Sequence, residues 1–288
     1  MAINLNLEPR RTTWGAVAQT AAIAKVPVDY LAGTTLNEKF GVFQNESINS
    51  ATDYPELSYF GIGRGSTYMK VLSDSSSQSE NYLHEPFDAA LFYQLPFVLR
   101  TLDNDIPAEK RVKYAMRCIV EKDGIEYVAY YLKALDKSSS SITTKTVVPA
   151  TDTESETSTD LISDPRYLNP VPTKADAGNV RTDGAYIRVS LLLQSKLDAW
   201  DISEILNAKQ ILTGNNQLEI TEVGLFVGIP KSVSSSITNE AVVYTESLRA
   251  QLSMVSPHRI LLNQFEDREL VINHDLGVDD PTSLSYIF

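Results

Sequence analysis

The sequence predicts a mainly β protein: an antiparallel β-sandwich body with short helical and loop insertions and an extended N-terminal arm. Three observations lead there. Over 111–135, Tyr114, Met116, Cys118 and Val120 alternate on one face, and Ile125, Tyr127, Ala129 and Tyr131 form a second alternating run beyond Asp123-Gly124. An Asp-Gly pair readily takes the positive φ values of a tight hairpin turn. After residue 185 most apolar runs are strand-sized and end at turn residues, and only two segments have helical spacing.

Taken in order, residues 12–25 read as a helix of small side chains, 40–43 as a short strand and 57–64 as a strand ending in glycines. Much of the intervening chain reads as extended arm. Residues 73–79 form a serine-rich loop, and the apolar run over 87–100 breaks at Pro96, because proline cannot donate to a sheet ladder. Tyr127, Tyr130 and Tyr131 crowd the second strand of the hairpin. Their hydroxyl-bearing rings on both faces call for partly polar packing on each side.

Residues 137–164 are rich in Ser, Thr and acids and poor in large apolar side chains, the signature of a solvated loop or linker. A second reading makes 142–148 an edge strand, where Thr and Val are favoured. This divides the chain into 1–136, with the arm and hairpin, a linker over 137–164, and a β-rich part over 165–288. Whether the two halves are separate or complete one sandwich stays open at this point. Beyond the linker, 185–193 reads as a buried strand, and Asp201 with Glu204 three residues on fits a capping box. A short helix follows until Gly214. Strands are then expected over 218–227, 242–244, 250–255, 259–262 and 270–272.

With 37 acidic and 25 basic residues among 288, the formal net charge is −12. Such a surface repels a phosphate backbone, so nucleic acid is not an expected partner. Cys118 is the single cysteine; an internal disulfide is impossible, and in an apolar run an inert buried thiol is expected. The first residues lack the basic region and apolar stretch of a signal peptide, and no run approaches the roughly 20 apolar residues that span a bilayer. The chain is expected in a reducing cytoplasm, or in a particle assembled there.

Candidate chemistry is sparse. Gly61-Ile62-Gly63-Arg64-Gly65-Ser66 suggests a phosphate loop, but strand-like residues follow where a helix must open. A glycine-rich turn presenting Arg64 outward to a partner carboxylate is the simpler reading. His84, His258 and His274 are far apart and never at ligand-pair spacing. Asn273 and Asp275 flank His274, yet no nucleophile elbow accompanies it. Asp103, Asn104 and Asp105, and separately Asp279 and Asp280, offer oxygens to a hard cation without the rest of an EF-hand loop. No catalytic residue, metal site or cofactor is therefore expected.

Two segments carry a resemblance. The run Ile220-Thr221-Glu222-Val223-Gly224-Leu225-Phe226-Val227-Gly228 resembles a strand of tailed-bacteriophage virion proteins in which a glutamate and a glycine interrupt an apolar run. Tyr59-Phe60-Gly61-Ile62-Gly63-Arg64-Gly65, a polar loop, then Phe87-Asp88, Pro96-Phe97-Val98-Leu99 and Asp105-Ile106 before Arg111 is similar in order to the opening of baseplate wedge proteins of contractile-tailed phages. The resemblance implies a non-enzymatic subunit, present in repeated copies around a symmetric tail, that contacts other virion proteins. A neck or collar component is the alternative within that class. Outside it stand a carbohydrate- or receptor-binding module with tyrosine stacking platforms and a hydrolase built from distant residues. Besides Arg64, the expected partner contacts are Tyr286, Ile287 and Phe288, in an apolar tail that either docks into a partner or folds onto its own core.

Overall fold

A computed structural model describes residues 2–7, 9–73, 76–138, 140–151, 156–161, 165, 168–171, 185–215, 217–235, 242–262 and 269–280. In chain order the elements are β1 (Ala2–Leu7), β2 (Arg10–Arg11), α1 (Thr13–Ala24), α2 (Leu36–Phe40), β3 (Glu56–Arg64), β4 (Thr67–Val71), β5 (Ser77–Asn81), β6 (Tyr93–Leu95) and β7 (Val98–Thr101). A 3-10 turn (Leu102–Asn104) and α3 (Ala108–Arg111) lead to β8 (Tyr114–Lys122), β9 (Ile125–Ala134), β10 (Ile142–Val148), β11 (Thr157–Asp160) and β12 (Tyr186–Leu197). Then come α4 (Ala199–Thr213), β13 (Leu218–Ser235), β14 (Val242–Leu262) and β15 (Glu269–Asp280). The fold is mainly β and antiparallel with few helices, as the sequence predicts.

One unit comprises 1–135 and 195–272. Its eight-stranded sheet runs β2-β14-β13-β3-β9-β7, with β6 added on β3 and β8 on β9. β3 meets β9 through only two residue pairs, Tyr59↔Ala134 and Phe60↔Lys133, and beyond that narrow joint β8 comes against β14. The sandwich-like core between them holds Tyr59, Leu99, Met116, Leu132, Phe226 and Leu252. The second unit comprises 136–194 and 273–288, and the five-stranded sheet in which its strands lie is ordered β1-β15-β12-β10-β11.

The hairpin over 111–135 forms as expected, with Asp123 and Gly124 at φ 55° and 76°. So does the helix over 12–25, where the Thr12 hydroxyl caps the Gly15 N–H and Lys25 closes the helix in the left-handed region. Several expectations need correction. Residues 36–40 are helical, where a strand was expected over 40–43, because Thr35 and Glu38 make a reciprocal capping box and Gly41 terminates the turn at φ 68°. The expected serine loop over 73–79 includes part of β5, which pairs with β4 through Met69↔Ser79 and Val71↔Ser77.

In the segment 137–164 the second reading holds in part: 142–148 is a strand, although it lies between two others and not at an edge. The segment contains β10 and β11, and β10 pairs with β12 from Ile142↔Leu191 to Val147↔Tyr186. The first unit breaks off at Leu135, next to the expected boundary, and residues 195–272 rejoin it because β13 completes the sheet beside β3. The three short strands expected over 242–262 are one strand carrying bulges. The cap of α4 is Asp198 with Asp201 at N3, three residues earlier than expected. Asp201 is buried, paired with Lys133 and bonded by the Tyr114 hydroxyl. A bidentate Arg100–Glu204 pair, with Nε–Oε2 at 2.9 Å, ties α4 to β7.

Candidate functional site

Alongside β6 lies a half-open groove of about 390 Å³. Its walls come from elements far apart in sequence. The capping box of α2 positions Phe40, whose ring stacks on Tyr131 of β9 with centroids 4.2 Å apart. Ile205, Ala208 and Leu212 project from α4 at helical spacing, and Phe92 and Tyr93 form a further edge.

The charged groups that line this space are cationic. They are Lys39, Arg64 and Lys209, and among the described residues no carboxylate lines the groove, in a chain whose net charge is −12. Lys39 Nζ donates to the Leu91 carbonyl at 3.2 Å. Desolvation holds this ammonium below the usual lysine range, partly opposed by the charge of Glu222. Lys209 is lowered too, by desolvation first and then by the like charge of Arg64. The Arg64 guanidinium sits 6.0 Å from the Tyr93 ring centroid. The sequence expectation of an outward-facing Arg64 agrees with its exposed position at the end of β3, although Gly61 and Gly63 lie within that strand and only Gly65 has positive φ, at 108°.

Behind the Phe92–Tyr93 edge stands a buried carboxylate, Glu222 of β13. It pairs in register with Gly63, where a Cβ would lie 2.6 Å from its Oε1, so the glycine makes room for the side chain. Glu222 Oε2 lies 2.7 Å from His84 Nε2, and Asp88 Oδ2 lies 2.8 Å from His84 Nδ1. Carboxylates only accept, so both contacts are satisfied when both ring nitrogens carry hydrogen. The Phe92 ring stacks on the imidazole at 4.0 Å, and the Phe92 and Tyr93 N–H groups each lie 3.4 Å from Glu222 oxygens. The chain Asp88–His84–Glu222 thereby anchors one edge of the groove.

The remaining candidates are dispersed. His258 is half-buried on β14. His274 is buried, and desolvation pulls its pKa down to about 4. Its neighbour Asn273 accepts from Gln194 at 3.0 Å, and the Ser190 hydroxyl donates to Asp275 at 3.4 Å. Asp105 is taken up by Arg117 at 2.9 Å and by the Tyr130 hydroxyl at 2.9 Å; Asp103 and Asn104 lie on the 3-10 turn. Asp279 is held by Arg188 at 3.0 Å. Among the described residues no group of three acidic, histidine or cysteine side chains is arranged to hold a metal ion, and no helix is long and apolar enough to cross a membrane. Cys118 is buried, and desolvation raises its thiol to about 12. Asp280 is at the end of β15, while Tyr286, Ile287 and Phe288 lie outside the described residues.

Sequence reasoning did not find Lys39, Lys209 or the His84–Glu222 contact, which spans 138 positions. One signal was visible: Glu222 interrupts an apolar strand, and Gly61 and Gly63 thin out another. No curated protein and no solved structure matches the chain. A family model does match, and it covers nearly the whole length: the chain belongs to a family of unknown function, DUF7208, matched over residues 2–287.

Proposed function

We propose that this chain is a non-enzymatic structural subunit of a phage tail, a baseplate wedge component, acting through protein–protein contacts during virion assembly. The observation that carries the reading is apolar surface on the β4–β5 hairpin. The hairpin forms a two-stranded sheet of its own, and Met69 and Val71, on one face of β4, are 61% and 71% exposed. Tyr82 and Leu83, just beyond β5, are also exposed. A two-stranded hairpin alone is marginally stable in water, and grouped exposed apolar side chains mark interaction sites. The hairpin therefore gains most by packing against a partner.

Two further features support the reading. The segments that resemble phage virion proteins are antiparallel neighbours in one sheet, with Gly61↔Gly224 and Gly63↔Glu222 in register. Tyr59, Tyr114, Tyr130, Tyr131 and Tyr244 are buried in strands, as a structural body requires, while Tyr82 and Tyr93 are exposed and keep a module that stacks sugars on tyrosines as the second reading. Size exclusion with light scattering tests the proposal, on the chain alone and mixed with neighbouring virion proteins. A defined larger complex, lost in a Met69→Ser, Val71→Ser, Leu83→Ser variant that keeps its circular dichroism, is expected. A chain that joins none of those proteins would sink it.

A further inference from the structure

The geometry points to the partner's chemistry: we infer that the groove beside β6 docks a protein segment in which a large apolar side chain lies next to a carboxylate. The inference rests on the proposed role in protein–protein contacts and goes beyond it by specifying a site and an occupant. The interior offers stacked Phe40 and Tyr131 with Ile205 and Leu212 from α4, and its volume of about 390 Å³ holds a bulky side chain or two. Around that apolar interior stand Lys39, Arg64 and Lys209, with no lining carboxylate among the described residues. An incoming carboxylate relieves the repulsion between Arg64 and Lys209 and gains a charge-assisted hydrogen bond in partly desolvated surroundings. Arg64 is suited to bidentate contact with a planar carboxylate.

A segment of this kind fits better than a polyphosphate. Phosphate sites draw on clustered backbone N–H groups at helix N-termini. Here Lys209 lies in the C-terminal half of α4, nearer the end whose partial charge is negative. The cations of Lys39 and Arg64 come from a five-residue helix and a strand end, and most of the lining is apolar or aromatic. One carboxylate beside an aromatic group satisfies both features, whereas several phosphates leave the apolar walls uncovered.

The test uses the full chain and two capped pentapeptides, EFDFE and its uncharged counterpart QFNFQ, titrated by calorimetry. EFDFE is expected to bind at least tenfold more tightly than QFNFQ, and to lose at least tenfold in affinity in the Arg64→Glu, Lys209→Glu variant. Arg64→Gln with Lys209→Gln is the milder form should charge reversal disturb folding. Tripolyphosphate is expected not to compete. Equal affinity for both peptides, no binding of EFDFE, or its displacement by tripolyphosphate overturns the inference. The same variants, tested for complex formation with virion proteins, separate the two proposals. A complex that forms although EFDFE does not bind removes the groove and leaves the structural role standing. EFDFE binding with no complex does the reverse.

Discussion

The carboxylate of Glu246 takes the place of a missing ladder partner for Met116. Met116 sits at φ +56°, unpaired between the rungs Ala115↔Leu132 and Arg117↔Tyr130. Its N–H donates to Glu246 Oε1 at 2.7 Å, while Arg117 N–H donates to Oε2 at 3.1 Å and Ser247 N–H to Oε1 at 2.8 Å. A strand that breaks its ladder at one rung and a buried acid thus satisfy each other across the core.

Burial raises the Glu246 pKa to about 7 from 4.5, outweighing the three N–H donors. A folded-state pKa above the unfolded value means that stability is fully present below about pH 4.5 and is lost as pH rises through 7. The contribution is on the order of 3 kcal/mol. Urea denaturation between these limits should show this decline in the native chain and not in Glu246→Gln. A parallel decline in both would assign it elsewhere.

His274 acts in the opposite direction. Desolvation lowers its pKa from 6.5 to about 4, so its contribution is present above pH 6.5 and is lost as pH falls through 4. Melting temperatures of the native chain should drop over that window, and those of His274→Gln should change less. Equal drops in both would contradict the assignment.

Replacing His84 by Ala leaves Glu222 without its imidazole partner inside the protein, at a cost of about 3–5 kcal/mol. Adding Glu222→Gln should recover part of this loss. A double-mutant cycle in chemical denaturation reads the coupling directly, and additive losses would mean that the 2.7 Å contact is not coupled energetically.

Gly63→Ala places a methyl group 2.6 Å from Glu222 Oε1. The carboxylate is held by His84, so the strain cannot relax cheaply, and a loss of about 1–3 kcal/mol is expected. Gly124→Ala, where nothing lies within 4 Å of the added carbon, tests backbone conformation alone at φ 76°. A smaller Gly63 loss than Gly124 loss would refute the steric argument.

Where the determining interactions are local, the sequence was readable. The hairpin turn Asp123-Gly124 and the helix over 12–25 were found because turn chemistry and spacing specify them over a few residues. The helix over 36–40 was missed because it is set by the Thr35–Glu38 box, a signal of two polar residues, while the apolar Phe40 and Phe43 suggest a strand. The start of α4 was misplaced because Asp201 and Glu204 fit the capping pattern, while the operating pair is Asp198 with Asp201. Strand β14 was divided because its bulges, one with Arg249 at φ 52°, interrupt the alternation. Only Arg64 of the groove cations was singled out. Lys39 and Lys209 look like ordinary surface lysines until α2 and α4 are placed beside β6, and no spacing in the chain records that long-range arrangement.

The excursion of 136–194 out of the first unit has a consequence for synthesis. When the ribosome has made residues up to 217, β3 still lacks β13, and α1, α2 and β2 lack β14, the strand on which they pack. The N-terminal elements must therefore wait for the last quarter of the polypeptide, and a nascent chain halted there exposes an open strand edge to its neighbours on the polysome. Completion of β14 is the event that turns the first unit from a hazard of translation into a folded body.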